Sequence, residues 1–305
     1  MQLILRMDQT DLRQAQQLLQ SRLRTLYDDR EAAVITDWVM EHLTGLKKTD
    51  RILQKTAPLS ADQVRLLEKY TVELLAYRPV QYVLEESWFR GLKFYVNEDV
   101  LIPRPETEEL VEWVVEGASE RNLRIASSRE AQPFPTTRIL DVGTGSGCIA
   151  ISLKKALPTC EIHACDLSSG ALTVARRNAT TLETPVQFHQ LDFLDPARRT
   201  ALPPVQVIVS NPPYIPLRDK STMAPHVLHY EPHMALFVSD QDPLVFYRAL
   251  AEFGREKLQP GGTVFAETHE ELAAATGNIF RQTGYSSITV KKDMQGKDRM
   301  IKATW

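Results

Sequence analysis

The stretch Arg138-Ile139-Leu140-Asp141-Val142-Gly143-Thr144-Gly145-Ser146-Gly147 constrains this chain more than any other. An apolar run breaks into glycines at alternate positions, and Cys148-Ile149-Ala150-Ile151-Ser152-Leu153 follows as a continuous apolar segment. Strand, glycine-rich turn and helix together open a nucleotide-binding βαβ unit. Glycine allows the positive φ and the close backbone approach that such a turn requires. The expected fold is therefore α/β: an open sheet whose ligands sit at the carboxyl ends of its strands.

The spacing is G-x-G-x-G rather than the dinucleotide G-x-G-x-x-G. It favours S-adenosylmethionine over NAD, because the turn need not cradle a pyrophosphate. A second strand, Glu161-Ile162-His163-Ala164-Cys165, ends in Asp166. An acidic residue about twenty positions past the glycine turn can accept hydrogen bonds from both ribose hydroxyls; a capping role is the alternative. A helix over 169–181 and a third strand, Val186-Gln187-Phe188-His189-Gln190, lead to Leu191-Asp192-Phe193. Asp192 can accept from an adenine amine and Phe193 can stack on the ring. The cofactor set expected from these residues is Gly143, Thr144, Gly145, Ser146, Gly147, Asp166, Asp192 and Phe193.

Val207-Ile208-Val209-Ser210 reads as a buried strand, and Asn211-Pro212-Pro213-Tyr214 ends it. Neither proline can donate to a ladder. A strand-ending turn with a packed tyrosine is one reading. The other is a site for a planar NH₂ group, built from an amide oxygen, a rigid carbonyl and an aromatic face. On that reading Asn211, Pro212 and Tyr214 are catalytic, and Pro213 joins them in holding substrate.

The chain has 305 residues, 43% hydrophobic and 25% charged, with net charge −3. Length and composition fit about two domains of an ordinary globular protein. The mild acidity argues against a nucleic-acid coat. Met1 to Thr10 carries no apolar core of a secretory signal, and no apolar run is long enough to span a bilayer. Cys148, Cys160 and Cys165 show no paired spacing, so a reducing, cytoplasmic setting and structural thiols are expected.

Residues 8–86 read as a small helical bundle, either a stabilising cap or a docking module. Leu12, Ala15, Leu18, Leu19, Leu23 and Leu26 recur at helical spacing. Val34, Ile35, Trp38, Val39 and Leu43 form a second face, closed by Gly45. Ser60-Ala61-Asp62-Gln63 is a capping box opening a helix through Val64, Leu67, Tyr70, Leu74 and Leu75, which Arg78-Pro79 ends. The aromatic run Trp88 to Val96, the turn Asn97-Glu98-Asp99 and Val100-Leu101-Ile102 suggest a β-hairpin joining two domains. Pro105 and the glutamates Glu106, Glu108 and Glu109 suit a helix N-terminus, with Leu110, Val111, Trp113 and Val114 buried. Arg104 is a surface charge, an ion-pair partner or a substrate contact. Residues 117–137, ending Gln132-Pro133-Phe134-Pro135, look like a helix end and a loop.

Further on, His226, His229, Glu231 and His233 fall within eight residues, but irregular loop polarity explains them better than a metal, and none is expected. A helix over 242–257, a turn over 258–262, a strand over 263–267 and a helix over 269–282 follow. An antiparallel pair, 288–290 with 299–303, closes a seven-strand sheet.

These motifs resemble the glutamine-N5 methyltransferases of the HemK/PrmC family, which modify peptide-chain release factors. The resemblance runs over nearly the whole length. It includes Phe89-x-Gly91-x-x-Phe94-x-Val96, Val100 through Glu108, Asp141 through Gly147 and Asn211 through Ile215. It implies a Rossmann-like class I methyltransferase domain over 106–305, a hairpin linker over 87–105 and a helical substrate-docking domain over 1–86. It also implies S-adenosylmethionine as donor and the glutamine of a Gly-Gly-Gln loop in a class 1 release factor as acceptor. Gly143, Gly145, Gly147, Asp166, Phe193 and Asn211 would contact the donor or lie beside it. Methyltransferases acting on ribosomal protein L3 share Asn-Pro-Pro-Tyr but usually lack the Arg-Pro-Glu-Thr-Glu continuation. DNA adenine methyltransferases share the motif without this N-terminal half. Phe193 stands where the family often has Trp, and Glu267-Thr268-His269 departs from the more usual Glu-Ile-Gly, so His269 receives no role.

Overall fold

Seven strands form one sheet, in the order 287–292, 298–304, 258–267, 205–210, 138–142, 161–166, 187–190. The computed structural model describes residues 10–127 and 137–305. The expected loop ending Gln132-Pro133-Phe134-Pro135, and the stretch before Thr10, lie outside the described residues. The five strands from 258–267 to 187–190 run parallel. Only 298–304 opposes its neighbours, antiparallel to 258–267 on one side and 287–292 on the other. The sheet is open, mostly parallel and seven-stranded, as the sequence leads one to expect.

Parallel strands bury both faces, and the alternation along Arg138–Val142 shows it. Ile139 joins Ile162, Val207, Val209 and Phe265 on one face, against helices Pro105–Ser127 and Cys148–Ala156. Leu140 and Val142 join Ile208, Val264 and Ile301 on the other, against helices Val245–Lys257 and Ala273–Thr283. The expected turn over 258–262 is a bulge inside a longer strand. Val205 pairs with Leu258, yet Val207 pairs with Thr263, and Gly261 takes φ +69° within the excess residues.

The chain divides into two units. One takes the chain up to Glu85 together with Ala224–Tyr230; the other takes Glu86–Met223 and Glu231–Trp305. In the first, helices Leu12–Leu23, Asp29–Thr44 and Ala61–Leu75 share a core of Leu19, Leu23, Val39, Met40, Leu67 and Leu74. Gly45 closes the second helix at φ +70°, and Ser60 with Gln63 forms the expected capping box. Two expectations change. Val34 and Trp38 are 43% and 47% exposed, so only Ile35, Val39 and Leu43 of that face are buried. His226 and His229 lie on the short helix Pro225–Tyr230 and His233 begins another, so the segment is helical rather than irregular.

The hairpin is also shorter than expected. Ser87–Phe89 pairs with Leu92–Phe94 around Arg90-Gly91, not around Asn97-Glu98-Asp99. Arg90 at φ +49° and Gly91 at φ +72° supply the two left-handed residues of a tight hairpin turn. Among the described residues, Val100-Leu101-Ile102 is not part of a strand. Phe89 and Phe94 pack into the core of the second unit, so the hairpin is part of that unit rather than a separate linker. The following helix opens on Pro105 and runs to Ser127, well past 117. Gly117 does not end it: a Cβ there would lie 3.0 Å from the ring of Phe265, so glycine lets this helix approach the sheet.

Candidate active site

Strand register sets one edge. Val142 pairs with both Cys165 and Ser210, and Ser210 pairs with Ala266. One step further along these parallel strands stand Gly143, Asp166, Asn211 and Glu267. The polar residues that interrupted each apolar run therefore align at the carboxyl edge, where an open α/β sheet leaves its crevice.

A cavity of about 220 Å³ opens there, lined by Gly143, Gly145, Asp166, Asp192, Phe193, Asn211, Pro212 and Pro213 among others. Val100 and Leu101 line it from the hairpin side, and Met234 and Ala235 from the segment after Glu231. Gly143 and Gly145 have φ +74° and +53°, and a Cβ on either would meet nothing within 4 Å. This open glycine floor beside an acidic residue and an aromatic ring fits an adenosyl ligand.

Thr144, Ser146 and Gly147 do not line the cavity; they build the turn from behind. Thr144 Oγ1 donates to Asp141 Oδ2 at 2.6 Å. Gly147 packs against Ile151 and Ala175 at φ +82°, directly before helix Cys148–Ala156. The Ser146 carbonyl accepts from Asn178 Nδ2 at 2.9 Å. Asn178 also donates to the Tyr95 carbonyl and accepts from the Tyr95 N–H. One buried amide thus ties the glycine turn to the segment leading into Val100. Nothing local signals this role: Asn178 is one polar residue of helix Ser169–Thr181.

Asp166 holds the turn with both oxygens, accepting from Gly145 N and Ser168 N, each at 2.9 Å. Burial raises its pKa, while these backbone donors pull the other way. Asp192 Oδ1 accepts from Leu194 N at 2.9 Å. Phe193 meets Phe253 edge-on, with ring centroids 5.3 Å apart. Arg104 pairs with Glu231 at 2.6 Å. Burial pushes the Cys148 thiol up to about 12, so it carries no thiolate near neutrality. Among the described residues no three His, Cys, Asp or Glu side chains converge as a metal site.

Around Asn211 the structure adds two residues that sequence reasoning left without a role. Asn211 Nδ2 donates to Thr107 Oγ1 at 3.0 Å. Thr107 Oγ1 donates to Glu267 Oε2 at 2.7 Å. Tyr214 does not line the cavity; its hydroxyl donates to Glu267 Oε1 at 2.9 Å. Tyr247 donates to the Glu267 backbone carbonyl at 3.0 Å. Burial raises the Glu267 pKa, against the pull of the Thr107 and Tyr214 hydrogen bonds and the positive charge of Arg299. Burial and the Glu267 charge hold Tyr214 well above the ordinary phenol value.

Comparison with known proteins agrees with this architecture. Residues 12–84 match the PrmC N-terminal domain and residues 124–236 match the methyltransferase small domain. The chain is 40% identical to the release factor glutamine methyltransferase of Flavobacterium psychrophilum, over 93% of this chain and 95% of that protein. It is 37% identical to the protein of the same description from Bacteroides thetaiotaomicron, over 93% and 97%. The solved catalytic domain of hMettl16, in complex with a 3'UTR hairpin, gives a TM-score of 0.53 at 15% identity. That match covers 80% of this chain and 81% of that one and speaks for the fold alone. With relatives this similar over nearly their full length, the chain belongs to the release factor glutamine methyltransferase family.

Proposed function

We propose that this chain transfers a methyl group from S-adenosylmethionine to the side-chain amide nitrogen of the glutamine in the Gly-Gly-Gln loop of a class 1 release factor. The donor supplies an electrophilic methyl on a sulfonium. Gly143, Gly145, Asp166, Asp192 and Phe193 would hold it. The rest of the chemistry falls to the end of strand Val205–Ser210.

A carboxamide nitrogen is a poor nucleophile, because its lone pair is delocalised into the carbonyl. Asn211 Oδ1 and the Pro212 carbonyl accept its two hydrogens, orient the nitrogen and favour the positive charge it acquires. Fixed acceptors make the reaction mainly one of positioning: the nitrogen–methyl bond forms as the methyl–sulfonium bond breaks, and the cationic nitrogen then releases one hydrogen as a proton to solvent, so no strong base is needed before transfer. Pro212 and Pro213 stiffen the backbone that carries the second acceptor. The observation that supports this reading best is the hydrogen bond from Asn211 Nδ2 to Thr107, which leaves Oδ1 as the acceptor end of the amide.

The helical unit is read as the release-factor docking module. Among the described residues no helix is long and apolar enough to cross a membrane. Three buried cysteines without a disulfide suit the reducing cytoplasm. The net charge of −3 gives no reason to expect direct nucleic-acid binding.

Incubation with labelled donor and, separately, a class 1 release factor, ribosomal protein L3 or duplex DNA tests the assignment. Label should enter the release factor and vanish when its Gly-Gly-Gln glutamine is replaced. Label in L3 or DNA alone would overturn it.

A further inference from the structure

Thr107 and Glu267 are 2% and 1% exposed, and neither lines the cavity. They come from opposite ends of the second unit, yet they form one chain of hydrogen bonds ending on Asn211. Each link has a direction. A carboxylate only accepts, and a threonine hydroxyl has one hydrogen to give. Glu267 takes that hydrogen, so the Thr107 oxygen can only accept from Asn211. The amide must therefore offer Nδ2 to Thr107.

We propose that Thr107 and Glu267 are positioning residues for methyl transfer, setting which end of the Asn211 amide meets the substrate. The inference rests on the reading of Asn211 as an amide acceptor and adds what enforces it. An asparagine side chain is nearly symmetric in shape, so packing alone does not choose between its oxygen and its nitrogen. The choice matters here, because a turned amide would face the glutamine NH₂ donor to donor. Glu267 makes the choice through Thr107. Through its other oxygen it also holds Tyr214, at the far end of the same Asn-Pro-Pro-Tyr segment.

Glu267→Gln is the sharpest perturbation, since it keeps volume and shape. With Tyr214 still donating to the side-chain oxygen, the new NH₂ faces Thr107. The Thr107 hydroxyl then turns its hydrogen toward Asn211, which answers with Oδ1 and presents Nδ2 to the substrate. Thr107→Val removes the link without changing shape, and Thr107→Ser keeps the hydroxyl.

The test measures kcat for methylation of a class 1 release factor, donor Kd and thermal melting for wild type and these three variants. Thr107→Val and Glu267→Gln should lose about 10–100-fold in kcat, with donor Kd within about threefold of wild type. Thr107→Ser should stay within about threefold of wild type in both. Retention of kcat in Thr107→Val or in Glu267→Gln overturns the proposal. So does an equal fall in Thr107→Ser and Thr107→Val, because that would make the role one of packing. A wild-type protein that fails to methylate the release factor removes the underlying reading instead, and this inference with it.

Discussion

Arg104 Nη2 donates to Glu231 Oε1 at 2.6 Å, and the other oxygen of the same carboxylate accepts the Ile102 N–H at 3.2 Å. The two side chains are 127 residues apart in sequence. Each lies close in the chain to cavity-lining residues: Val100 and Leu101 precede Arg104, and Met234 and Ala235 follow Glu231. The Glu231 side chain is fully buried, while that of Arg104 is 33% exposed.

That asymmetry yields the first prediction. Arg104→Ala strips a buried carboxylate of its counter-charge and should cost about 3–5 kcal/mol. Glu231→Gln leaves Arg104 able to reach water and should cost only about 1–2 kcal/mol. Urea unfolding of the two variants checks the order. An equal cost for both would mean that the difference in burial between the two side chains does not set their energetics.

The glycine turn separates binding from folding. A side chain at Gly145 would project into open space beside the cavity and hold an unfavourable φ. Gly145→Ala should therefore weaken donor binding, by about tenfold or more. At Gly147 a Cβ would lie 3.1 Å from Ile151 and 3.2 Å from Ala175. Gly147→Ala should instead lower stability, by about 1–3 kcal/mol. Calorimetric titration and thermal melting on both variants distinguish the two effects.

Asp141 gives a pH dependence of known sign. Burial raises its pKa from 3.8 to about 7, despite the hydrogen bond from Thr144. An acid that is weaker in the folded state binds more protons there than in the unfolded chain. Between pH 3.8 and about 7 stability therefore falls as pH rises. The full effect corresponds to about 4 kcal/mol. Relative to Asp141→Asn, the wild type should gain stability as pH drops from about 8 to 5. Parallel stability curves for the two proteins would contradict this.

The reaction-bearing edge was legible in the sequence because each of its parts is local. Gly143, Asp166 and Asn211 each follow a strand's apolar residues within a residue or two, and parallel strands bring such positions together. Thr107 and Glu267 lie in segments that were already set against the family pattern, but nothing local gave either side chain a role. Their contact spans 160 residues, and neither segment signals that the two side chains meet. The hairpin turn was misplaced because Asn97-Glu98-Asp99 has turn composition, whereas Arg90 reaches a left-handed φ that arginine seldom adopts. The helix was expected to end near 117, and glycine there is a poor helix former. Its reason for being there is the Phe265 ring, which only the folded chain brings near.

The Asn211 variants test the central claim most directly. Asn211→Ala, assayed by single-turnover methyl transfer to a class 1 release factor alongside donor Kd, should lose about 10²-fold or more in rate with affinity nearly unchanged. A rate close to wild type would contradict the claim that this amide oxygen holds the substrate nitrogen for attack.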